Sequence, residues 1–117
     1  MRGLIIKSPY IEEILAGTKK WEIRGNNTKI RGQIALIKSG SSRIFGTVNI
    51  VESKEITMDE YRTWKIGRGA NVDEVIESPY KRIFAWVLEK PVIFKEPIVY
   101  KHPMGAIIWV NLDEYEL

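Results

Sequence analysis

A small curled sheet or barrel, mainly β with short helices at its ends (α+β), is the fold class that this sequence predicts. Three observations predict it. Short apolar or alternating runs outnumber segments with a helical period, and the two never alternate regularly as they do in a doubly wound sheet. The last third of the chain reads as one short strand after another, broken by Pro91, Pro97 and Pro103, and prolines suit strand ends, edges and barrel corners. The 117 residues, 44% of them hydrophobic, suffice for one core and one domain over 1–117, folding burying roughly 65% of the unfolded chain's surface. A domain of that size offers a shallow cleft more readily than a deep cavity.

Taken in order, Leu4 to Lys7 is a first strand. Ser8 and Pro9 then read as an N-cap and a first-turn proline, and Ile11, Ile14 and Leu15 fall at i, i+3 and i+4 of a short amphipathic helix that Gly17 ends. Lys20-Trp21-Glu22-Ile23-Arg24 alternates, with Trp21 and Ile23 on one side and Lys20, Glu22 and Arg24 on the other, until Gly25-Asn26-Asn27 breaks the strand. Ile34 to Ile37 and Ile44 to Val51 flank the turn Ser39-Gly40-Ser41-Ser42 and form a hairpin whose loop is bracketed by Lys38 and Arg43. Thr57-Met58-Asp59-Glu60 is a capping box opening a second helix that carries Met58, Tyr61 and Trp64 inward. Gly67-Arg68-Gly69 lacks the preceding strand and third glycine of a nucleotide fingerprint and reads as a basic flexible loop. Asn71 to Glu77 reads as another capped helical turn with Val72, Val75 and Ile76 on one face. The closing strands are Ile83–Leu88, Val92–Phe94, Ile98–Tyr100 and Ala106–Val110. Ser-Pro-Tyr occurs at 8–10 and again at 78–80, but the flanks do not match and no internal repeat follows from it.

Composition removes several function classes. With no cysteine and a single histidine, disulfide frameworks, thiolate zinc sites and a cysteine nucleophile are out, and neither a metal nor a cofactor is expected. No apolar run approaches the ~18 to 20 residues of a membrane span, so the expectation is a soluble, cytoplasmic protein without a membrane partner.

The net charge of +3 conceals an uneven distribution. Residues 1–58 hold ten Lys and Arg against five Glu, and between Gly17 and Arg43 seven cations (Lys19, Lys20, Arg24, Lys29, Arg31, Lys38 and Arg43) face Glu22 alone. Clustered cations attract phosphate-bearing ligands, and a solvated basic face is the plainer alternative. The densest constellation is Gly17-Thr18-Lys19-Lys20-Trp21-Glu22-Ile23-Arg24. In an extended segment Glu22 and Arg24 point the same way, near enough to pair or to grip one ligand together. Lys19 joins them only if the turn after Gly17 rotates it. Such a group can hold a phosphate, accept from an exocyclic amine and stack a base; an amphipathic strand with a structural salt bridge and a core Trp accounts for the same residues.

Gly17, Lys19, Glu22 and Arg24 fill a pattern G-x-K-x-x-E-x-R that resembles the signature of the ASCH domain, the activating signal cointegrator homology domain of the PUA-like superfamily. Arg31 to Ile37 with Gly46, Trp86-Val87-Leu88-Glu89 with Pro91, and His102 to Val110 are similar to later strands of that family. The resemblance implies a small β-barrel with flanking helices and a ligand cleft at the motif, binding RNA, another nucleic acid or a nucleotide. It also implies two enzymatic precedents, an amidohydrolase of N-acetylated cytidine and a ribonuclease-like branch. The first uses a Lys at the position of Lys19 and a Thr nucleophile where this chain has Glu22, and a carboxylate does not replace that hydroxyl without changing the mechanism. If the chain is an enzyme, Lys19 and Glu22 are its catalytic pair. A coactivator-type protein partner is the third class.

The remaining candidates lie at the same cleft or at the hairpin loop. Ser8 and Tyr10 stand at the first strand-to-helix corner, Trp86 serves as core or as cleft floor, and Lys38 and Arg43 would meet phosphates from the hairpin loop. Lys20 and Trp21 complete the expected binding set. His102, between Lys101 and Pro103, reads as a turn residue before it reads as a general base.

Overall fold

The computed structural model describes residues 1–117. Eight elements follow in order: β1 (Arg2–Ile6), α1 (Tyr10–Leu15), β2 (Trp21–Arg24), β3 (Gly32–Lys38), β4 (Arg43–Ile56), α2 (Met58–Gly67), β5 (Ile83–Val99) and β6 (Trp109–Asn111). The six strands form one sheet in the order β2-β5-β4-β3-β1-β6, with β1 parallel to β3 and every other pair antiparallel. The sheet curls into half a barrel. Its open side is bridged where Arg24 of β2 donates to the carbonyl of Ile5 in β1 and where Trp86 of β5 stacks on Trp109 of β6. No helix is long and apolar enough to cross a membrane.

Alternation decides which residues meet inside the curl. Leu4, Ile6, Ile34, Leu36, Val48, Ile50, Phe84, Trp86 and Leu88 face inward, and α1 closes one end of that core with Ile11, Ile14 and Leu15. Helix α1 stops at Gly17, whose φ of +82° only glycine adopts without strain. On the convex side Trp21, Ile23, Ile56, Ile83 and Ala85 are covered by Tyr61 and Trp64 of α2. The capping box opens α2 as expected: Thr57 Oγ1 accepts from Glu60 N, and the Glu60 carboxylate accepts from Thr57 N.

The hairpin expected around Ser39–Ser42 is present, with Lys38 opposite Arg43. Elsewhere the structure differs in ways that have physical causes. Ile83–Leu88, Val92–Phe94 and Ile98–Tyr100 are not separate strands, since all but Tyr100 belong to β5, which runs unbroken to Val99. Strand β2 pairs with β5 only from Phe84 to Val87, so Pro91 and Pro97 lie where β5 is an edge and a missing N–H costs no ladder bond. No helix forms over Asn71–Glu77; Val72 and Val75 are exposed, only Ile76 finds apolar neighbours, and one turn without a buried face cannot offset the cost of nucleation. Met58 faces solvent, leaving Tyr61 as the buried residue of α2. Ser8 is not the cap of α1: Pro9 occupies that place without a side-chain bond, and Ser8 Oγ donates to the Glu12 carboxylate at 2.9 and 3.0 Å.

Gly46 marks the tightest backbone approach. It lies at a register shift between β4 and β5, and a Cβ there would overlap the Val92 carbonyl oxygen and reach 2.7 Å from Leu15 Cδ2. A carbonyl held in a ladder cannot swing aside as a side chain can. Gly46→Ala is therefore expected to cost about 2 to 3 kcal/mol in thermal or urea unfolding, an overpacking penalty transmitted to both the ladder and α1. An unchanged midpoint would contradict this packing.

Candidate functional site

The turn between α1 and β2 rotates Lys19 onto the face of the motif. Thr18 N and Lys19 N both donate to the carbonyl of Glu13, coiling the chain tightly past Gly17. Lys19 Nζ then donates to the carbonyl of Trp21 at 2.8 Å and stands 3.6 Å from Glu22 Oε1. On β2 itself, Glu22 and Arg24 share the concave face, opposite Trp86 and Phe84 of β5. Arg24 donates from Nε and Nη2 to Glu22 Oε2 at 3.0 and 2.8 Å and lies 5.6 Å from the centre of the Trp86 ring. Both arginine bonds fall on one carboxylate oxygen. Glu22 Oε1 therefore keeps acceptor capacity, and Arg24 Nη1 keeps its protons for a ligand.

This charged cluster is nearly closed to solvent. Lys19 is 5% exposed and Glu22 7%, yet both line a cleft of about 360 Å³. The walls are aromatic: Tyr10 from α1, Tyr61 and Trp64 from α2, and Tyr80 from the segment before β5. Lys19 Nζ lies 4.7 Å from the Trp64 ring centre and 5.6 Å from that of Tyr10, so cation–π attraction supplies part of what water no longer does. Lys7 and Lys65 also line the cleft, which gives it four cations against Glu22. Such a lining focuses a positive field outward.

Burial holds the Lys19 ammonium below its ordinary pKa of 10.5, the attraction of Glu22 opposing the shift and the nearby Arg68 adding to it. Burial, with a smaller contribution from Tyr10 and Tyr80, raises the Tyr61 phenol. The two have opposite consequences for stability. A lysine with a lowered folded pKa leaves the unfolded chain holding more protons as pH approaches 10.5, so its contribution to stability rises with pH; a tyrosine with a raised pKa does the reverse. The difference in unfolding free energy between the wild type and Lys19→Met isolates the lysine. That difference should shift in favour of the wild type as pH is raised through the Lys19 range towards 10.5, and a flat difference would contradict a buried ammonium.

The expected site residues separate into groups. Tyr10, Lys19, Glu22 and Arg24 converge on the cleft. Trp86 is buried behind Arg24, bonded through Nε1 to the Asn26 carbonyl at 3.0 Å, and floors an adjoining hollow. Trp21 lies on the opposite face of β2, stacked on Trp64 at 5.9 Å, and with Lys20 it lines a separate groove beside β5. Ser8 is turned to Glu12, Lys38 pairs with Glu12 at 3.2 Å, and Arg43 is exposed at the hairpin end. The run of cations from Gly17 to Arg43 is thus divided among several faces. His102 spends Nδ1 on Tyr100 Oη and Nε2 on the Ala106 carbonyl, as a turn residue does.

Several cleft residues carried no separate signal in the sequence. Trp64 and Tyr61 read as core, and they are both core and wall. Tyr80 had one signal, the second Ser-Pro-Tyr, since both copies of that tripeptide deliver a tyrosine to the same cleft. Arg68 is no flexible loop residue: its guanidinium binds the Glu13 carboxylate and the Thr18 carbonyl and lies 5.1 Å from the Trp64 ring centre, locking the turn that presents Lys19.

Comparison with known proteins agrees with the fold. Crystal structures of the ASCH protein from Zymomonas mobilis share the fold: one aligns over 97% of this chain and 89% of that one with a TM-score of 0.69 at 14% identity. Its serine-to-alanine variant aligns over the same shares at 0.68 and 14%, and its tyrosine-to-phenylalanine variant over 84% and 74% at 0.64 and 14%. A search of curated proteins returns no match. The family model of the ASCH domain matches residues 4–98, from β1 through nearly all of β5 and including the Gly17–Arg24 segment that builds the cleft, and the chain therefore belongs to the ASCH domain family.

Proposed function

We propose that this protein binds single-stranded RNA and takes one nucleotide into the cleft at Lys19, Glu22 and Arg24. The observation that carries the reading is a buried ion cluster opening into an aromatic-walled, cation-lined cleft. Each part has a matching group on a nucleotide. Glu22 Oε1 accepts from an exocyclic amine, the rings of Tyr10 and Tyr80 offer stacking surfaces, and Arg24 Nη1 with Lys7 and Lys65 meets phosphate oxygens. With about three phosphates neutralised, affinity for a single-stranded oligonucleotide should fall with a log-log salt slope near −2. Titrating a labelled single-stranded RNA by fluorescence anisotropy at several salt concentrations measures it. Salt-independent affinity, or none, overturns the reading.

A second reading is favoured by one observation, the lowered pKa of Lys19 beside a carboxylate. In it the same cleft hydrolyses RNA or a modified nucleoside, with the buried Lys19 amine, readier to shed its proton, as the reactive group and Glu22 as acid/base. Glu22 is no hydroxyl nucleophile, so acyl transfer of the kind known in the amidohydrolase branch is not proposed.

A further inference from the structure

Beside the cleft lies a second chamber of about 650 Å³, and the two share Arg24, Pro79 and Tyr80. The shared residues form a ridge. Tyr80 is seated on it by the backbone of Gly25, where a Cβ would come within 2.7 Å of Tyr80 Cδ1. Beyond the ridge, the chamber is walled by the Trp86–Trp109 stack, with ring centres 5.9 Å apart and planes 15° from parallel, and rimmed by Asn26 and Lys81. The rim groups are unspent: Asn26 uses its carbonyl for Trp86 Nε1, while its side-chain amide is exposed and Lys81 is exposed.

We infer that the second chamber is a subsite for the neighbouring nucleotide of the same strand, so that the recognition unit is a dinucleotide. This rests on the RNA reading of the first chamber. The ridge is where the linking phosphodiester would cross, and Arg24 there presents Nη1, the part of its guanidinium that Glu22 and the Ile5 carbonyl leave free. On one side a base meets Glu22 and Lys19. On the other its neighbour lies against Trp109, with the Asn26 amide supplying a donor and an acceptor to a base edge and Lys81 facing the next phosphate. A chamber with an indole wall and a single unpaired amide reads stacking more than sequence, so the second position should tolerate any base.

The test compares 5′-AMP and 5′-CMP with the dinucleotides pApA and pCpC by isothermal titration calorimetry. One further stacked base should make the dinucleotides bind about tenfold tighter than the mononucleotides. The doubly substituted Asn26→Ala, Lys81→Ala protein alters only exposed groups, so its fold is retained; it should bind mononucleotides as the wild type does and lose most of the dinucleotide advantage. Mononucleotide binding with no gain for pApA or pCpC, or a gain that survives the double substitution, overturns the second subsite and leaves the first intact. Failure of mononucleotides and dinucleotides alike overturns both.

Discussion

Replacing Glu22 with alanine is expected to lower the unfolding free energy by about 3 to 5 kcal/mol, the range for removing one partner of a buried ion pair. The cost falls on Lys19 rather than on Arg24. The Arg24 side chain is 21% exposed and keeps its bond to the Ile5 carbonyl, so its charge can still reach water; the Lys19 side chain is 5% exposed and would be left with one carbonyl and two ring faces. Burying an ammonium on those terms costs several kcal/mol before any compensation. The double variant Lys19→Met, Glu22→Ala removes the stranded charge and fills its volume with an apolar chain. It should recover more than half of the loss, read as the midpoint shift in urea unfolding. A loss of Glu22→Ala below about 1 kcal/mol, or a double variant as unstable as the single, would mean that the pair is solvated and that the cleft is ordinary surface.

This cluster is also where the sequence was most and least informative. The alternation of β2 was legible, and it placed Glu22 and Arg24 on one face. Its meaning was not. An alternating strand ordinarily turns its apolar side inward, whereas here both sides are covered, Trp21 and Ile23 by α2 and the charged side by the curl of the sheet. No local pattern reports that curl. It depends on the two ends of the strand order, β2-β5 and β1-β6, coming together through Arg24 to Ile5 and Trp86 to Trp109. The rotation of Lys19 was legible as a condition, the turn after Gly17, and that turn is set by Glu13 accepting two amide bonds and by Arg68 clamping Glu13 from 55 residues away. The cap of α2 and the β3–β4 turn needed only neighbours in sequence, so they could be read directly. The overlong β5 could not, because whether a proline breaks a strand depends on which side of it is an edge.

The second large effect concerns ligand binding. Lys19→Ala with Arg24→Ala should weaken affinity for single-stranded RNA about a hundredfold, each charged hydrogen bond being worth roughly 1.5 to 3 kcal/mol and each 1.4 kcal/mol a factor of ten. Arg43→Ala should change it little, since that residue lies at the hairpin end away from both chambers. Lys19→Arg then separates binding from chemistry. Its guanidinium keeps a cation beside Glu22 but stays protonated at any working pH, whereas the lysine, with its lowered pKa, sheds its proton more readily. If the cleft only binds, Lys19→Arg should hold RNA nearly as the wild type does, and labelled RNA should stay intact with both proteins. If the cleft also hydrolyses RNA through the amine, the same variant should bind and fail to cleave. Affinity undiminished in the double alanine variant would place the RNA elsewhere on the molecule, because Lys19 and Arg24 are the two cations that bracket Glu22 at the base of the cleft, and no strand could enter it without meeting them.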